Sequence, residues 1–503
     1  MKENKLSLCE RAALALAAAA RRYAVPLASA LGVGFLAHMY AFTNKLLNAD
    51  ETTALFSKGA TLTSGRWGLE ATKLFFPDVS MPWIYGVIGL LLIAAVVCVI
   101  IDCFDIKSRA VQALLGGAIA AFPALTGNFC YMFTSAPYAL AILLAVVSVR
   151  LFARGTWRQR ALGVALLAFA LGIYQAYIAL AASLCVVLLI KELLSGGDAK
   201  TVLRRALVLL LLLAAALGVY YLVTLIVESV IDSGYQEYEV TAGNGICRGL
   251  VAAYSSFVGI FLFGNYGFVN SGVSAAGHIV CALAVVYALV RCAVRTRDVR
   301  RAALLAVLLA IYPLSVNCMY LIASPDIIHS LVMFSFASFY VLTAVAVESV
   351  AEEGGVRRAV RAVTAVAAAL IVVSNVYFAN KVYLKMYLEY ENAFTFYNAL
   401  MAEVMDNPNF GRYTIVDIVG NAQSGLTHFD EEIDTGDFTG PNEDLVNIYT
   451  RVDFIRYYLG LDLYMYREDT ILNCRWYNEM PCYPNEGSIK YLPDENRLVI
   501  KLS

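Results

Sequence analysis

Two adjacent carboxylates, Asp50 and Glu51, follow directly on the first long apolar run of a chain that is otherwise largely lipid-soluble. Ionised groups are costly at membrane depth, so the pair must face water or a cavity. A carboxylate placed there can take the proton of a hydroxyl group, the work of a general base. The same stretch, residues 44–82, gathers Lys45, Lys58, Arg66 and Lys73. Positive charge beside an acid pair suits an anionic ligand such as a lipid phosphate. Arg66 is the best phosphate partner because its planar fork holds two oxygens. We assign Asp50 as proton acceptor, Glu51 as its support or as the group orienting the second reactant, and Arg66, Lys58 and Lys73 to the phosphate. The bland alternative is a helix start, with Asp50 ahead of Thr52 and Thr53 capping a short interfacial helix.

Other polar groups fall near the same face. Tyr174 and Gln175 mark a helix hairpin, where sugar contact and a hydrogen-bonded turn have equal claim. Asp326 and His329 follow Pro325 in a short turn and are candidates to line a cavity, although a solvated turn explains them better. Trp67 either stacks on a sugar or anchors at the membrane interface. Asn128 and Tyr131 occupy another turn, with packing the better reading. The 4 histidines are too dispersed for a His-based mechanism. No tight His/Cys/Asp cluster has metal-ligand spacing, so the sequence requires no metal or other cofactor.

The elements that position these residues must span a bilayer. Of 503 residues 60% are hydrophobic and 15% charged, against about 25% charged in soluble proteins. Runs of about 20 apolar residues cross the hydrocarbon core. We count eleven, near 24–43, 83–101, 110–127, 137–153, 161–174, 177–193, 206–228, 275–294, 302–323, 331–350 and 362–380. No removable signal peptide is evident. Before residue 381 there are 28 Lys and Arg, and 23 of them fall in alternate segments beginning with the N-terminus. The positive-inside rule makes those segments cytoplasmic. An odd number of spans then puts the C-terminus outside.

Residues 1–380 form the membrane part and residues 381–503 an external domain. The first outer loop, 44–82, reads as one or two amphipathic helices with a turn at Gly65 and Gly68. A second outer segment, 229–274, reads as a loop followed by an interfacial or re-entrant helix. The tail opens with a Tyr-rich helix ending near Asn407-Pro408, followed by strand-like YTIVDIVG and RLVIKLS, the pattern of a small α/β domain. Charge divides the same way: +9 over 1–380 (28 basic, 19 acidic) and −10 over the tail (10 basic, 20 acidic). An acidic outer domain excludes nucleic acid as a partner. Cys474 and Cys482 lie in the tail, where a disulfide can persist, but spacing alone does not establish one.

The segment NADETTALFSKGATLTSGRWG, with its acid pair followed by Gly65-Arg66-Trp67, resembles the glucosyltransferase-II family of phage-type O-antigen modifying enzymes. LGIYQAYIALAASL, with Tyr174-Gln175-Ala176, is similar to that family's Tyr-Gln helix start. FPALTGNFCYMFTSAPYALAILLA resembles the span pair before it. The resemblance runs over residues 30–350. It implies a GT-C-type, all-α polytopic membrane bundle in a bacterial cytoplasmic membrane, with a catalytic acid in the first outer loop. It further implies a polyprenyl-phosphate sugar donor, usually glucose, and a surface-glycan acceptor. Some related membrane transferases use a divalent ion. The family also leads one to expect a basic residue at the start of the tenth span, where this chain has SPDIIHS and offers only His329. Direct displacement at such a donor inverts the anomeric carbon.

The rival class is a polytopic transporter or flippase of lipid-linked glycans. Transporters tend to show repeated halves and charge at mid-membrane. Here the spans carry almost no such charge and no duplication is visible.

Overall fold

The structure is a computed structural model and describes residues 8–59, 61–231, 245–321, 328–350, 355–421, 433–466, 471–472 and 474–503. Among the described residues ten helices are long and apolar enough to cross a membrane, the mark of a multi-pass membrane protein. In chain order the elements begin with α1 (Leu8–Thr43), then two short loop helices, α2 (Ala49–Thr53) and α3 (Trp67–Ala71). The bundle continues with α4 (Pro82–Phe104), α5 (Arg109–Ala120), α6 (Pro123–Cys130), α7 (Met132–Arg154), α8 (Trp157–Ile173), α9 (Tyr177–Leu194) and α10 (Ala199–Ile231). Beyond these come α11 (Gly245–Val258), α12 (Gly272–Thr296), α13 (Val299–Val316), α14 (Ser338–Ser349) and α15 (Gly355–Asp406).

The expected count of eleven differs from ten at one place. The fifth apolar run is α8, whose 17 residues reach about 26 Å at 1.5 Å per residue. It packs against α7 and α10, and its last turn meets the first loop. Proline starts α4 and α6 at the first turn, where its missing N–H is no loss. The α5–α6 break falls at Phe122-Pro123 and the α6–α7 break at Tyr131, so the loop face of the bundle is built of helix ends.

Two polar links, the first of them buried, tie the bundle. His38 on α1 bonds the Tyr383 hydroxyl of α15 and the Ala120 carbonyl, each at 2.8 Å. At the opposite, arginine-rich face Asp102 accepts from Arg22 at 2.7 Å and Arg150 at 2.5 Å, joining α1, α4 and α7.

In the second outer segment α11 leans on α13, with Tyr254 Oη donating to the Ala310 carbonyl at 2.7 Å. Its Cys247–Phe263 run is apolar but shorter than a span. Residues 232–244 lie outside the described residues. The Tyr-rich helix expected after residue 380 is continuous with the last span: α15 is one helix of 52 residues that carries the chain into the tail. Beyond it lie β1 (Ile415–Val419), the short helix α16 (Arg451–Tyr457), β2 (Tyr464–Met465), β3 (Ile489–Leu492) and β4 (Arg497–Lys501). The strands form one sheet in the order β2-β1-β4-β3, with β1 parallel to β2 and β4, and β3 antiparallel to β4. Val416, Ile418, Leu498 and Ile500 on this sheet pack with Tyr397, Leu400, Met401 and Val404 of α15. Inside the sheet Arg497 pairs with buried Asp417. Cys474 and Cys482 are free thiols; the pairing considered from their shared outer location is not made.

Candidate active site

The cap of α2 is Asn48, not Asp50. Its backbone is extended, its side chain accepts the Glu51 N–H at 2.7 Å, and its amide donates to the Cys130 carbonyl at 2.9 Å. An Asx cap supplies the acceptor that the first helical N–H groups lack. Asp50 and Glu51 then sit in the first turn and face different ways. Glu51 is completely buried, held by Lys45, Ser80 Oγ and, at 3.2 Å, the Phe133 N–H. Asp50 is exposed, and its Oδ1 accepts from the Tyr449 hydroxyl at 3.2 Å.

The basic residues of the loop separate in the same manner. Lys58 donates to the Phe133 carbonyl at 2.9 Å and lies 4.8 Å over the Tyr85 ring. Burial pulls its pKa down to about 8 against the opposing pull of Asp78 and Glu51. Lys73 pairs with Glu70 at 2.8 Å and Asp78 at 3.0 Å. Arg66 donates to the Tyr138 hydroxyl at 3.3 Å and lies 5.1 Å from the centre of the Tyr174 ring. Tyr138 and Tyr174 stack with centroids 4.6 Å apart, and Tyr177 meets both edge-on. His329 belongs to this group: burial first, and then Arg66, lower its pKa to about 4, so the ring is neutral. Its Nδ1 has no hydrogen-bond partner among the described residues. Asp326 lies outside the described residues.

Trp67 and Gln175 fasten the loop to the bundle. Trp67 Nε1 donates to Thr224 Oγ1 at 3.2 Å, and the ring covers Gly172 of α8. Gln175 Nε2 donates to the Ser64 carbonyl at 2.8 Å and to the Tyr220 hydroxyl at 3.0 Å. Gly65 has the positive φ of a turn, 68°. Gly68, expected at that turn, instead lies inside α3, where the backbone at Gly172 and Ile173 leaves no room for a side chain.

One helix carries both ends of the arrangement. Tyr131, near Asp50, comes just before α7, and Tyr138, which accepts from Arg66, lies about 10 Å further along the axis. A model of the family described as glucosyl transferase GtrII matches residues 39–347, more than half of the chain. The chain belongs to the GtrII family. No curated protein and no solved structure matches it. Membership makes the protein a membrane glycosyltransferase of the glucosyl-transferring kind.

The GtrII match contains Asp50, Glu51, Lys58, Arg66, Trp67, Lys73, Tyr174, Gln175 and His329, but two residues that bond α2, one of them at Asp50 itself, lie beyond it. Glu443, from the tail, accepts the Tyr131 hydroxyl at 2.6 Å on one oxygen and the Ala49 N–H at 2.9 Å on the other. Burial, with Asp50 adding to it, raises its pKa from the ordinary carboxylate value against the bonds from Tyr131 and Ala49. Tyr449 is the second. Sequence reading missed both, because each lies some four hundred positions from α2 in an acidic stretch where no carboxylate stands out. Tyr131 was the only available signal, and packing was the better reading of it.

Proposed function

We propose that this GtrII protein transfers glucose from a polyprenyl-phosphate donor to a surface glycan, at the outer face of a bacterial cytoplasmic membrane, with inversion at the anomeric carbon. The N-terminus is cytoplasmic and the C-terminal domain external. The observation that carries the reading is the division of labour within the first loop: Glu51 is buried in an ion pair, while Asp50 is exposed and Arg66 lies against the Tyr138–Tyr174 stack.

Asp50 takes the proton as the acceptor oxygen bonds to the anomeric carbon. The bond from that carbon to the donor phosphate oxygen breaks, and polyprenyl phosphate leaves as an anion. Arg66, backed by the Tyr138–Tyr174 stack, neutralises the phosphate, and the depth of Arg66 suits a phosphate on a lipid. His329, being neutral, offers a hydrogen bond in place of a second charge. Lys58 and Lys73 already have partners and contribute to the field of the loop. Asp50→Asn keeps the shape and removes the base. It should abolish incorporation of labelled glucose into surface glycan while leaving membrane insertion intact; normal labelling would remove Asp50 from the mechanism.

A further inference from the structure

The external domain does not stand apart from the bundle. Residues 434–443, DTGDFTGPNE, form a strap across its mouth. Asp437 Oδ1 accepts the Tyr266 N–H at 2.8 Å. Thr439 and Ser330 exchange two hydrogen bonds, at 3.3 and 3.2 Å, next to His329. Lys385 of α15 donates to Asn442 Oδ1 at 2.7 Å. Gly440, at φ 110°, passes so close to Cys130 that a Cβ would lie 2.9 Å from the cysteine's own. The strap ends with Glu443 on Ala49 and Tyr131, and six residues later Tyr449 reaches Asp50.

We propose that Glu443 is a positioning residue for Asp50, so that the catalytic centre is complete only when the C-terminal domain is seated. This rests on the assignment of Asp50 as the base. The helix α2 has five residues, too few to hold a helical turn by its own hydrogen bonds. Its first turn is fixed from outside, by the Asn48 cap and by Glu443 on the Ala49 N–H, with Asp50 the next residue along. Glu443 touches no reacting atom in this scheme; it sets where Asp50 points and the charge Asp50 faces. The titratable groups facing Glu443 are Asp50, Tyr131 and Cys130. Those facing Tyr449, on the other side of Asp50, are Asp50 itself and Asp453.

The test uses the full chain in membranes, with synthetic polyprenyl-phosphate glucose and the surface glycan of the host cells. Glu443→Gln retains both contacts, since the amide oxygen can accept the Ala49 N–H and the amide nitrogen can donate to the Tyr131 oxygen. That variant should keep its rate within about threefold. Glu443→Ala frees α2 and should lose about tenfold to a hundredfold in rate, with the apparent KM for donor unchanged and melting close to wild type. A wild-type rate in Glu443→Ala overturns the proposal. So does a Glu443→Gln loss as large as that of Glu443→Ala, or a Glu443→Ala loss that only follows earlier melting, since that is the behaviour of a structural staple. Asp50→Asn is run alongside: if it stays active, the base assignment itself is wrong, whereas an inactive Asp50→Asn with a normal Glu443→Ala refutes only the role of Glu443.

Discussion

Consecutive helical residues face about 100° apart, and that rotation is what separates Asp50 from Glu51. The chemistry assigned to each follows from its surroundings. A fully buried carboxylate that loses its partners is strongly destabilising, whereas an exposed one is not. Glu51→Ala leaves Lys45 without its counter-charge and the Ser80 hydroxyl and Phe133 N–H without their acceptor, and should cost about 3–5 kcal/mol, read as a lower melting temperature in detergent. Asp50→Asn should melt as wild type does. Equal melting of the two variants would contradict the burial of Glu51. His329 makes a second residue-scale prediction. Its folded pKa of about 4 lies below the ordinary value near 6.5, so the unfolded chain takes up the proton first as the medium becomes acidic. The stability associated with the neutral ring is therefore complete above about pH 6.5 and is lost as pH falls towards about 4. His329→Gln should flatten that part of the melting-temperature profile, and a variant as acid-sensitive as wild type would place the ring outside the Arg66 group.

At the scale of elements, the first loop is held by close approach as much as by hydrogen bonds. Gly68 of α3 lies against the backbone of α8, where an added Cβ would come within 2.7 Å of the Gly172 carbonyl carbon and 2.8 Å of the Ile173 nitrogen. Backbone cannot yield as a side chain can. Gly68→Ala should therefore lift α3, displace Arg66 and Trp67, and cost about 1–3 kcal/mol of stability. Glucose transfer should fall with it, and a fully active Gly68→Ala would show that α3 has slack. The contact also explains what was legible. The spans could be read from sequence because a bilayer forces every backbone group into a helix of near-fixed length. The acid pair and Arg66 could be read because charge is conspicuous beside such runs. Gly68 was read as a turn because a glycine shows the same letter whether it frees the backbone or admits a neighbour. The union of the last span with the tail helix was hidden by a change of composition at residue 381, where the apolar run ends but the helix does not.

For the whole molecule, the decisive contact is between the beginning of the chain and its end. Ala49 and Glu443 are separated by 394 positions, and no local pattern predicts such a meeting. It arises because α15 projects rigidly from the bundle, the sheet packs on its outer length, and the strap returns to the mouth. On the proposal made above, the C-terminal domain thereby becomes part of the site without belonging to the GtrII match. Replacing residues 437–442 with glycine and serine of equal length removes the bonds to Tyr266, Ser330 and Lys385 and the buried Phe438 ring packed on Phe378 of α15, while leaving the sheet and every residue of the first loop in place. Each of those bonds contributes about 0.5–1.5 kcal/mol, or more where a charge is involved, so together they set how often the strap is seated. The variant should insert and keep its sheet core, yet transfer glucose at least about tenfold more slowly, because Glu443 and Tyr449 then find Asp50 only through a flexible link. Protease cleavage within the replaced segment, compared with wild type, would report whether the strap has left the mouth. If it has left and transfer continues at the wild-type rate, the bundle alone carries the reaction and the outer domain serves another end.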